Sequence, residues 1–327
     1  MVLDPFGDGL TTLRLDSEDL TGSRVENYGE ILANGGRVEL RANDGEGGVR
    51  IGWDDALPSA GRIVARDGQI ILDAGSGRVD LDGVLDARGT ARGGFIETNG
   101  STFTIGGNLS IDASASTPGG EAGTWLLDPQ DVTIAPGPPA GAPNTLYDST
   151  ISAALDTGTN VTVVTPAGGI ATGGNVIFDT TGGGINIQRT SAGNPVSFTV
   201  NADRSIRSFA LSAPFPITIE ATPGAGPLNV VFNADARNHA SDPASGGGQI
   251  AMDDLTIRTN GGDITMRGNW TDSAAGWGID LNRATLDSGT GSISLTGFST
   301  SGGGVRLGSS NLAAVGLGAV SVTGVGR

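Results

Sequence analysis

The sequence predicts an all-β protein in which short strands stack as parallel coils, that is, a parallel β-solenoid. Apolar and polar residues alternate only in brief runs, and these runs follow one another too closely for helices to lie between them. Glycine accounts for 56 of the 327 residues and lies between the runs, without the every-third-position pattern of collagen. Strands this short pair poorly as isolated hairpins, whereas coils let each strand pair with its equivalent in the next coil.

The amino-acid composition favours a narrow hydrophobic core. Hydrophobic residues make up 37% of the chain and aromatic residues only 5%, so we expect a core of Val, Ile, Leu and Ala. The alternative fold is a Greek-key sandwich, or a pair of them. That fold usually shows matched strands around two-residue turns, and the strands here are too brief to pair in that way.

The first segment, residues 1–134, is predicted to be a β-helix. A strand at Leu10–Leu15 opens the series, and Gly-Gly, Asn-Gly and Pro-Gly pairs mark the corners. Further strands are predicted at 25–27, 31–33, 38–42, 49–51, 63–65, 70–74, 79–81, 85–87, 103–105, 109–113 and 132–134.

Residues 135–149 break this rhythm and are predicted to form a loop or a joint. Four prolines fall in this segment, and proline cannot donate a hydrogen bond to a strand ladder. A short helix is predicted at Ser149–Leu155, with Asp148 or Ser149 as its cap and Gly158 as its stop.

The remaining segment, residues 150–327, is predicted to be a second β-helix with longer strands. Its polar stretch Asn233–Gly248 predicts an excursion on the surface. Because the final strand carries no polar cap, we expect the natural protein to continue past Arg327. The strands are predicted at 161–164, 176–178, 185–187, 196–200, 217–221, 228–232, 255–257, 264–266, 279–281, 293–295, 305–307 and 320–323.

The charge of the chain narrows the partners that we expect. The formal net charge is −16, from 35 acidic and 19 basic residues, and such a surface repels nucleic-acid backbones. The acidic balance keeps an exposed β surface soluble, with divalent-cation binding as the alternative. The chain has no cysteine and one histidine, which leaves no ligand set for zinc, and we predict no cofactor and no metal site. No apolar run is long enough to span a bilayer.

Catalytic patterns are weak. His239 lies near Asp235 and Asp242, but a solvated loop histidine is the simpler interpretation. The carboxylate pairs Asp54–Asp55 and Asp253–Asp254 keep a polysaccharide lyase or hydrolase open as an alternative. Neighbours on a strand point to opposite faces, so each pair offers one outward carboxylate, and we predict that the chain is not an enzyme.

The four tryptophans have two possible roles. Trp125, within the sequence TWLLD, is expected to fill the corner of a coil, and Trp53 to cover the end of a strand. Trp270 and Trp277 lie in glycine-rich, polar surroundings and are weak candidates for stacking on sugars at a binding surface. Packing is the preferred role for each ring.

Three segments in order carry a family resemblance: GGFIETNG (93–100), GTWLLDPQDVTI (123–134) and ISAALDTGTNVTV (151–163). Together they resemble the shaft of filamentous-haemagglutinin-type exoproteins of two-partner secretion. The amino-terminal secretion domain of that family is not in this chain, and MVLDPFGDG is not a signal peptide. The motif residues are Gly93, Gly94, Glu97, Gly100, Gly123, Trp125, Leu127, Asp128 and Pro129.

The resemblance implies an elongated, right-handed parallel β-helix from a bacterial protein that is secreted or held at the cell surface. The implied function is a structural and binding segment of an adhesin that projects surfaces for host-cell or cell–cell attachment. The implied partners are an outer-membrane β-barrel transporter during export and a glycan or protein receptor on a host or bacterial surface. A shaft that delivers a contact-dependent toxin is a further alternative.

Overall fold

The computed structural model describes residues 12–15, 24–42, 47–52, 61–165, 173–209, 215–235, 248–271 and 275–326. Within these ranges the strands pair in parallel with their equivalents in the neighbouring coil, which confirms the predicted β-solenoid. The chain divides into two compact units. The first contains residues 1–129, 138–146 and 153–162, and the second contains 130–137, 147–152 and 163–327.

Three parallel sheets build the first unit, and each coil contributes one strand to each sheet. Their orders are β1-β4-β7-β10-β13, β2-β5-β8-β11 and β3-β6-β9-β12. The strands are β1 (Thr12–Leu15), β2 (Arg24–Asn27), β3 (Glu30–Leu32), β4 (Arg37–Arg41), β5 (Gly48–Ile51), β6 (Arg62–Val64), β7 (Gln69–Asp73), β8 (Arg78–Leu81), β9 (Val84–Asp86), β10 (Phe95–Asn99), β11 (Thr102–Ile105), β12 (Ser110–Asp112) and β13 (Thr124–Asp128).

In the first unit, inward residues stack as ladders of similar side chains. One ladder runs Val38, Ile70, Ile96 and Trp125, all completely buried. Trp125 therefore packs in the core, as predicted, and its Nε1 donates to Thr98 Oγ1 at 3.2 Å. The predicted corner position was wrong, because Trp125 is the second residue of β13, where strand alternation turns its ring into the core.

Between the two long series of strands, the chain forms β14 (Val132–Ala135), β15 (Thr145–Tyr147), α1 (Asp148–Thr157) and β16 (Asn160–Val164). The proline-rich segment folds back onto the first unit. Gly141 N donates to Ile105 O at 3.1 Å, and Asn144 exchanges bonds with Phe103 through its backbone N and its side-chain Oδ1. These bonds cover the free edge of β11, the last strand of the second sheet of this unit, with residues 141–144, which do not form a strand.

The helix α1 ends where the sequence predicts. Gly158 has a φ of 94°, its N donates to Leu155 O, and Thr159 N donates to Ala154 O, each at 3.1 Å. This is the Schellman arrangement that glycine favours after a helix. At the other end, Asp148 Oδ1 accepts from Ser149 N at 2.7 Å.

The second unit repeats the three-sheet design. In this unit the sheet orders are β19-β22-β25-β28-β31, β14-β17-β20-β23-β26-β29 and β18-β21-β24-β27-β30. Its strands are β17 (Val176–Asp179), β18 (Ile185–Arg189), β19 (Val196–Ala202), β20 (Ile206–Phe209), β21 (Ile217–Ala221), β22 (Leu228–Ala234), β23 (Ile250–Asp253), β24 (Leu255–Arg258), β25 (Ile264–Trp270), β26 (Trp277–Asn282), β27 (Thr285–Asp287), β28 (Ile293–Ser299), β29 (Gly303–Gly308), β30 (Asn311–Ala313) and β31 (Val320–Val325).

One corner of the first unit is closed in every coil by the same backbone bond, and we call it the Ala–Gly corner. The amide of a glycine donates to the carbonyl of an alanine, although the loop between them lengthens from residues 34–35 and 66–67 to 88–93 and 114–122. The bonds are Gly36 N to Ala33 O (3.0 Å), Gly68 N to Ala65 O (2.9 Å), Gly94 N to Ala87 O (2.8 Å) and Gly123 N to Ala113 O (2.9 Å).

Only glycine fits the closing position of this corner, because the coils stack there backbone on backbone. A Cβ added to Gly94 would lie 2.5 Å from Gly68 O, and one added to Gly123 would overlap Gly94 O. Stacked corners of this kind explain why the chain contains so much glycine.

Candidate binding site

The first unit contains a cavity of about 560 Å³ beside the Ala–Gly corner, which we call the corner notch. Its floor is Asp67, Gly68 and Gln69, and its roof and back wall are residues 90–95. The volume falls within the range of about 300–1,000 Å³ typical of small-molecule sites. The motif glycines Gly93 and Gly94 line it directly.

The notch exists because a long loop stacks on a short turn. Residues 88–93 extend past the turn of Arg66 and Asp67 in the coil beneath. Thr90 N donates to Asp67 Oδ1 at 2.8 Å, and Asp67 N donates to Arg88 O at 2.8 Å. Asp67 has a φ of 57°, a left-handed conformation that aspartate tolerates in turns. Floor and roof are therefore held together by hydrogen bonds at one end.

The roof is supported by the still longer loop 114–122 of the following coil. Thr117 N donates to Thr90 O at 3.0 Å, and Glu121 N donates to Ala91 O at 3.0 Å. Arg92 Nε lies 2.9 Å from Glu121 Oε2, in an ion pair whose two side chains are 77% and 69% exposed. The backbone bonds fix the roof, and the exposed ion pair adds little to it.

The notch opens toward the outward face of the sheet that contains β7 and β10. Phe95 is half-buried and pairs in register with Gln69 on one side and Thr124 on the other. Gln69 Oε1 accepts from Arg37 Nη1 at 3.4 Å. An aromatic side chain and an amide thus stand next to each other at the mouth of the cavity.

Glu97 lies two residues further along β10, on the same outward face. Its pKa is raised above 4.5 by burial and by the negative charges of Asp73 and Asp128, while Arg37 and Arg41 oppose the rise. Its neighbours in register are Ile71, which is only 4% exposed although it faces outward, and Leu126. This motif glutamate is therefore in partly apolar, negatively charged surroundings.

The other motif residues contribute to packing and to the closure of the coils. Gly123 closes the Ala–Gly corner, Leu127 is 1% exposed in the core, and Pro129 follows β13 directly. Gly100 packs against the coil beneath, where an added Cβ would lie 3.1 Å from Gly77 O. Asp128 ends β13 on the outward face, next to Asn99 in register.

Trp270 and Trp277 lie in the second unit and are half-buried. Trp270 packs against Gly276, and Trp277 packs against Gly303, at positions where a Cβ would overlap the indole rings. The guanidinium of Arg306 lies 5.6 Å from the centre of the Trp277 ring, in a cation–π contact. Packing thus covers part of both rings, and stacking on sugars stays a prediction.

Of the two predicted carboxylate pairs, the structure describes only Asp253–Asp254. Asp54, Asp55, Trp53, His239 and Asp242 lie outside the described residues. Asp253 Oδ1 accepts from Asn282 Nδ2 at 2.7 Å, and Asp254 forms a two-bond ion pair with Arg283 at 2.6 and 2.7 Å. This pairing lowers the pKa of Asp254 below 3.8, against the smaller opposing effect of burial. Within the ranges that the structure describes, His, Asp and Glu form no group of three or more able to hold a metal.

The sequence did not predict that Asp67, Gln69, Thr90, Arg92 and Phe95 would come together. A signal was present, because the spacing from alanine to closing glycine grows between residues 65–68 and 87–94. Aligning those corners would have shown an overhanging loop.

No family model and no curated protein matches the chain. In the part of the chain that the structure covers, none of the helices has the length and apolarity needed to cross a membrane.

Proposed function

We propose that this chain is a structural and binding segment of a large secreted bacterial adhesin, in which regular coils present binding surfaces on inserted loops. The main support is the Ala–Gly corner. Its closing hydrogen bond measures 2.9 Å around the short turn 66–67 and 2.8 Å around the long loop 88–93. The coil therefore accepts a loop insertion without changing its own closure, as a display scaffold requires.

The stacking of the coils explains how such a scaffold stays stable while its loops vary. Each strand bonds in register to the strands before and after it, so the hydrogen bonds of the backbone do not depend on outward side chains. Inward ladders such as Val79 on Val49 are fully buried. Stability comes from these ladders and recognition from the loops, so the two can change separately. The resemblance of segments 93–100 and 123–134 to adhesin shafts supports the same proposal.

An attachment assay tests this function. The chain is immobilised on beads, and the attachment of epithelial cells and of bacteria is counted against beads that carry an unrelated β-helical protein. In a matched variant, residues 88–93 are replaced by the Arg-Asp turn of the coil beneath, which removes the roof of the notch. We expect attachment by the natural chain, weaker attachment by the variant, and similar circular dichroism for both. Attachment no better than that of the unrelated protein would contradict the proposal.

A β-helical polysaccharide lyase or hydrolase is the second candidate, and one observation favours it. Glu97 has a raised pKa and faces outward among Asp73 and Asp128, as an acid–base residue could. Incubation with neutral and acidic polysaccharides, followed by an assay for new reducing ends, separates the two functions. Cleavage that is lost in Glu97→Gln would favour the enzyme; an adhesin gives no cleavage with either chain.

A further inference from the structure

We infer that the corner notch binds an uncharged saccharide unit, an inference that rests on the proposed adhesive function and names its ligand class. Phe95 provides the first argument. It is the aromatic residue that lines this cavity, and it stands half-buried at its mouth. The C–H-rich face of a sugar ring packs well on an aromatic surface, whose polar surroundings then bind the hydroxyl groups.

The polar lining suits hydroxyl groups. The Gln69 side chain offers both an amide donor and a carbonyl acceptor, and the Thr90 hydroxyl can donate and accept. The Asp67 carboxylate receives one bond from Thr90 N and has about four acceptor sites in total, so it can accept from a sugar as well. Donors and acceptors thus line the same notch as one aromatic side chain, a combination that suits a hydroxylated ring.

The charges favour a neutral ligand. Asp67 lines the floor, and Glu121 lies at the edge of the roof, where it pairs with Arg92. An anionic sugar would have to displace Glu121 from the guanidinium and approach a second carboxylate, within a chain of net charge −16. An uncharged sugar needs neither change. The cavity volume of about 560 Å³ is sufficient for one or two sugar units.

Isothermal titration calorimetry with defined oligosaccharides tests this inference on the full chain. The neutral probes are maltotriose, cellotriose and chitotriose, and the anionic probes are trigalacturonate and sialyllactose. We expect at least one neutral probe to bind and neither anionic probe to bind more tightly. Phe95→Ala should weaken the neutral interaction at least tenfold, and Gln69→Ala several-fold.

Thr124→Ala is the matched control, because Thr124 continues the outward row of Gln69 and Phe95 one coil beyond the notch. It should bind as the natural chain does. If Phe95→Ala fails to fold by circular dichroism, Gln69→Ala and Asp67→Asn decide, since Asp67 lies in an exposed turn and Gln69 is exposed at the start of β7. Equal binding by folded notch variants, preference for an anionic probe, or no binding of any probe would overturn the inference.

A failure of the notch inference can be distinguished from a failure of the proposed adhesive function. If cells attach to the natural chain but calorimetry shows no binding of a neutral probe that depends on Gln69 or Phe95, the notch inference fails while the adhesive function stands. If the natural chain attaches to no cell, the adhesive function fails whatever the calorimetry shows.

Discussion

The two units close the same kind of corner with different chemistry. In the first unit the residue that accepts the closing bond is an alanine, and its methyl group packs inward. In the second unit this residue can carry a hydroxyl: Gly262 N donates to Thr259 O at 3.2 Å, and Gly291 N donates to Ser288 O at 3.0 Å. The Ser288 hydroxyl then donates to Gly291 O at 2.7 Å, and Thr259 does the same to Gly262.

This difference concerns how firmly the short turns at these corners are held. At Thr259 and Ser288 a completely buried hydroxyl ties both ends of the turn together, so the turn is held at one length. An alanine corner has only the backbone bond, and the loop between its ends can grow. The notch belongs to one of these alanine corners, the one that encloses residues 88–93.

The outward faces differ in a corresponding way. In the first unit, arginines cover nearly buried carboxylates: the Asp86 side chain is 4% exposed and pairs with Arg88 at 2.7 Å and Arg66 at 3.4 Å. In the second unit, the Asp254 side chain that pairs with Arg283 is 25% exposed. Amide ladders such as Asn233 on Asn201 also occur there, at 2.8 Å. We therefore expect the first unit to depend more on pH.

Gly94→Ala should have the largest effect on the first unit. The new methyl would lie 2.5 Å from Gly68 O and would push two coils apart, at a cost of about 3 kcal/mol. Urea unfolding followed by circular dichroism measures this loss.

The control is Gly107→Ala, where an added Cβ meets no atom within 4 Å. It should change the free energy of unfolding by less than about 1 kcal/mol. Gly291→Ala in the second unit should cost as much as Gly94→Ala, since its Cβ would overlap Gly262 O. Similar small effects for Gly94→Ala and Gly107→Ala would show that the coils are not stacked as described.

Asp86→Asn should destabilise the first unit by about 2 kcal/mol at pH 7, because it removes charged hydrogen bonds from Arg88. Burial opposes ionisation of Asp86, but the bonds from Arg88 and the charges of Arg88 and Arg66 outweigh it and lower its pKa below 3.8. The stabilisation is thus present above pH 3.8 and is lost as the pH falls through the lowered pKa.

Urea unfolding at a series of pH values measures this effect. The difference between the natural chain and Asp86→Asn should disappear in acid, and Asp254→Asn in the second unit should give a smaller loss at pH 7. A difference that persists unchanged below the lowered pKa would mean that packing, not charge, is responsible.

Much of the fold could be predicted from the sequence because inward residues follow a simple alternation. The predicted strand at 79–81 agrees with β8 (Arg78–Leu81) to within one residue. The sequence did not predict β10 and β13, where that alternation is disturbed. Phe95 and Leu126 are apolar but face outward, and Thr98 is polar but 1% exposed in the core. The buried hydroxyl of Thr98 accepts a hydrogen bond from Trp125 in the next coil. The sequence around Thr98 gives no sign of this partner.

The site was less predictable than the fold for a related reason. Gly93, Gly94 and Glu97 were singled out by resemblance, and all lie at or beside the notch. The cavity itself arises from the difference in length between loops 66–67 and 88–93, which are adjacent only once the coils are in register. A pattern within one coil contains no information about that difference.

Ser288→Ala tests the corner chemistry of the second unit and should cost about 1 kcal/mol, because it removes a buried hydrogen bond and leaves Gly291 O with one partner fewer. Ser294→Ala, on the outward face of β28, is the control and should be nearly neutral. In the first unit, Ala87→Ser adds a hydroxyl at a completely buried position whose corner the Gly94 amide already closes, and the cost of burying that hydroxyl offsets a new bond, so it should not stabilise. Equal stabilisation of both corners by a hydroxyl would remove the distinction between the units.

Glu97→Gln should have the smallest effect and the opposite sign, raising the stability of the first unit at pH 7 by less than about 1 kcal/mol. Burial and the charges of Asp73 and Asp128 raise the pKa of Glu97 above 4.5, so its protonated form is favoured in the folded chain. That stabilisation is complete below pH 4.5 and is lost as the pH rises through the raised pKa. Urea unfolding at pH 4 and pH 7 should therefore show a gain in stability only at the higher pH.

Glu39→Gln is the contrasting variant, because Glu39 pairs with Arg37 and Arg41 and the loss of its charge should destabilise the first unit. If both substitutions changed stability in the same direction, the difference between the two glutamates would be contradicted: Glu39 would not be stabilised by its arginines, or Glu97 would not be repelled by its neighbouring aspartates.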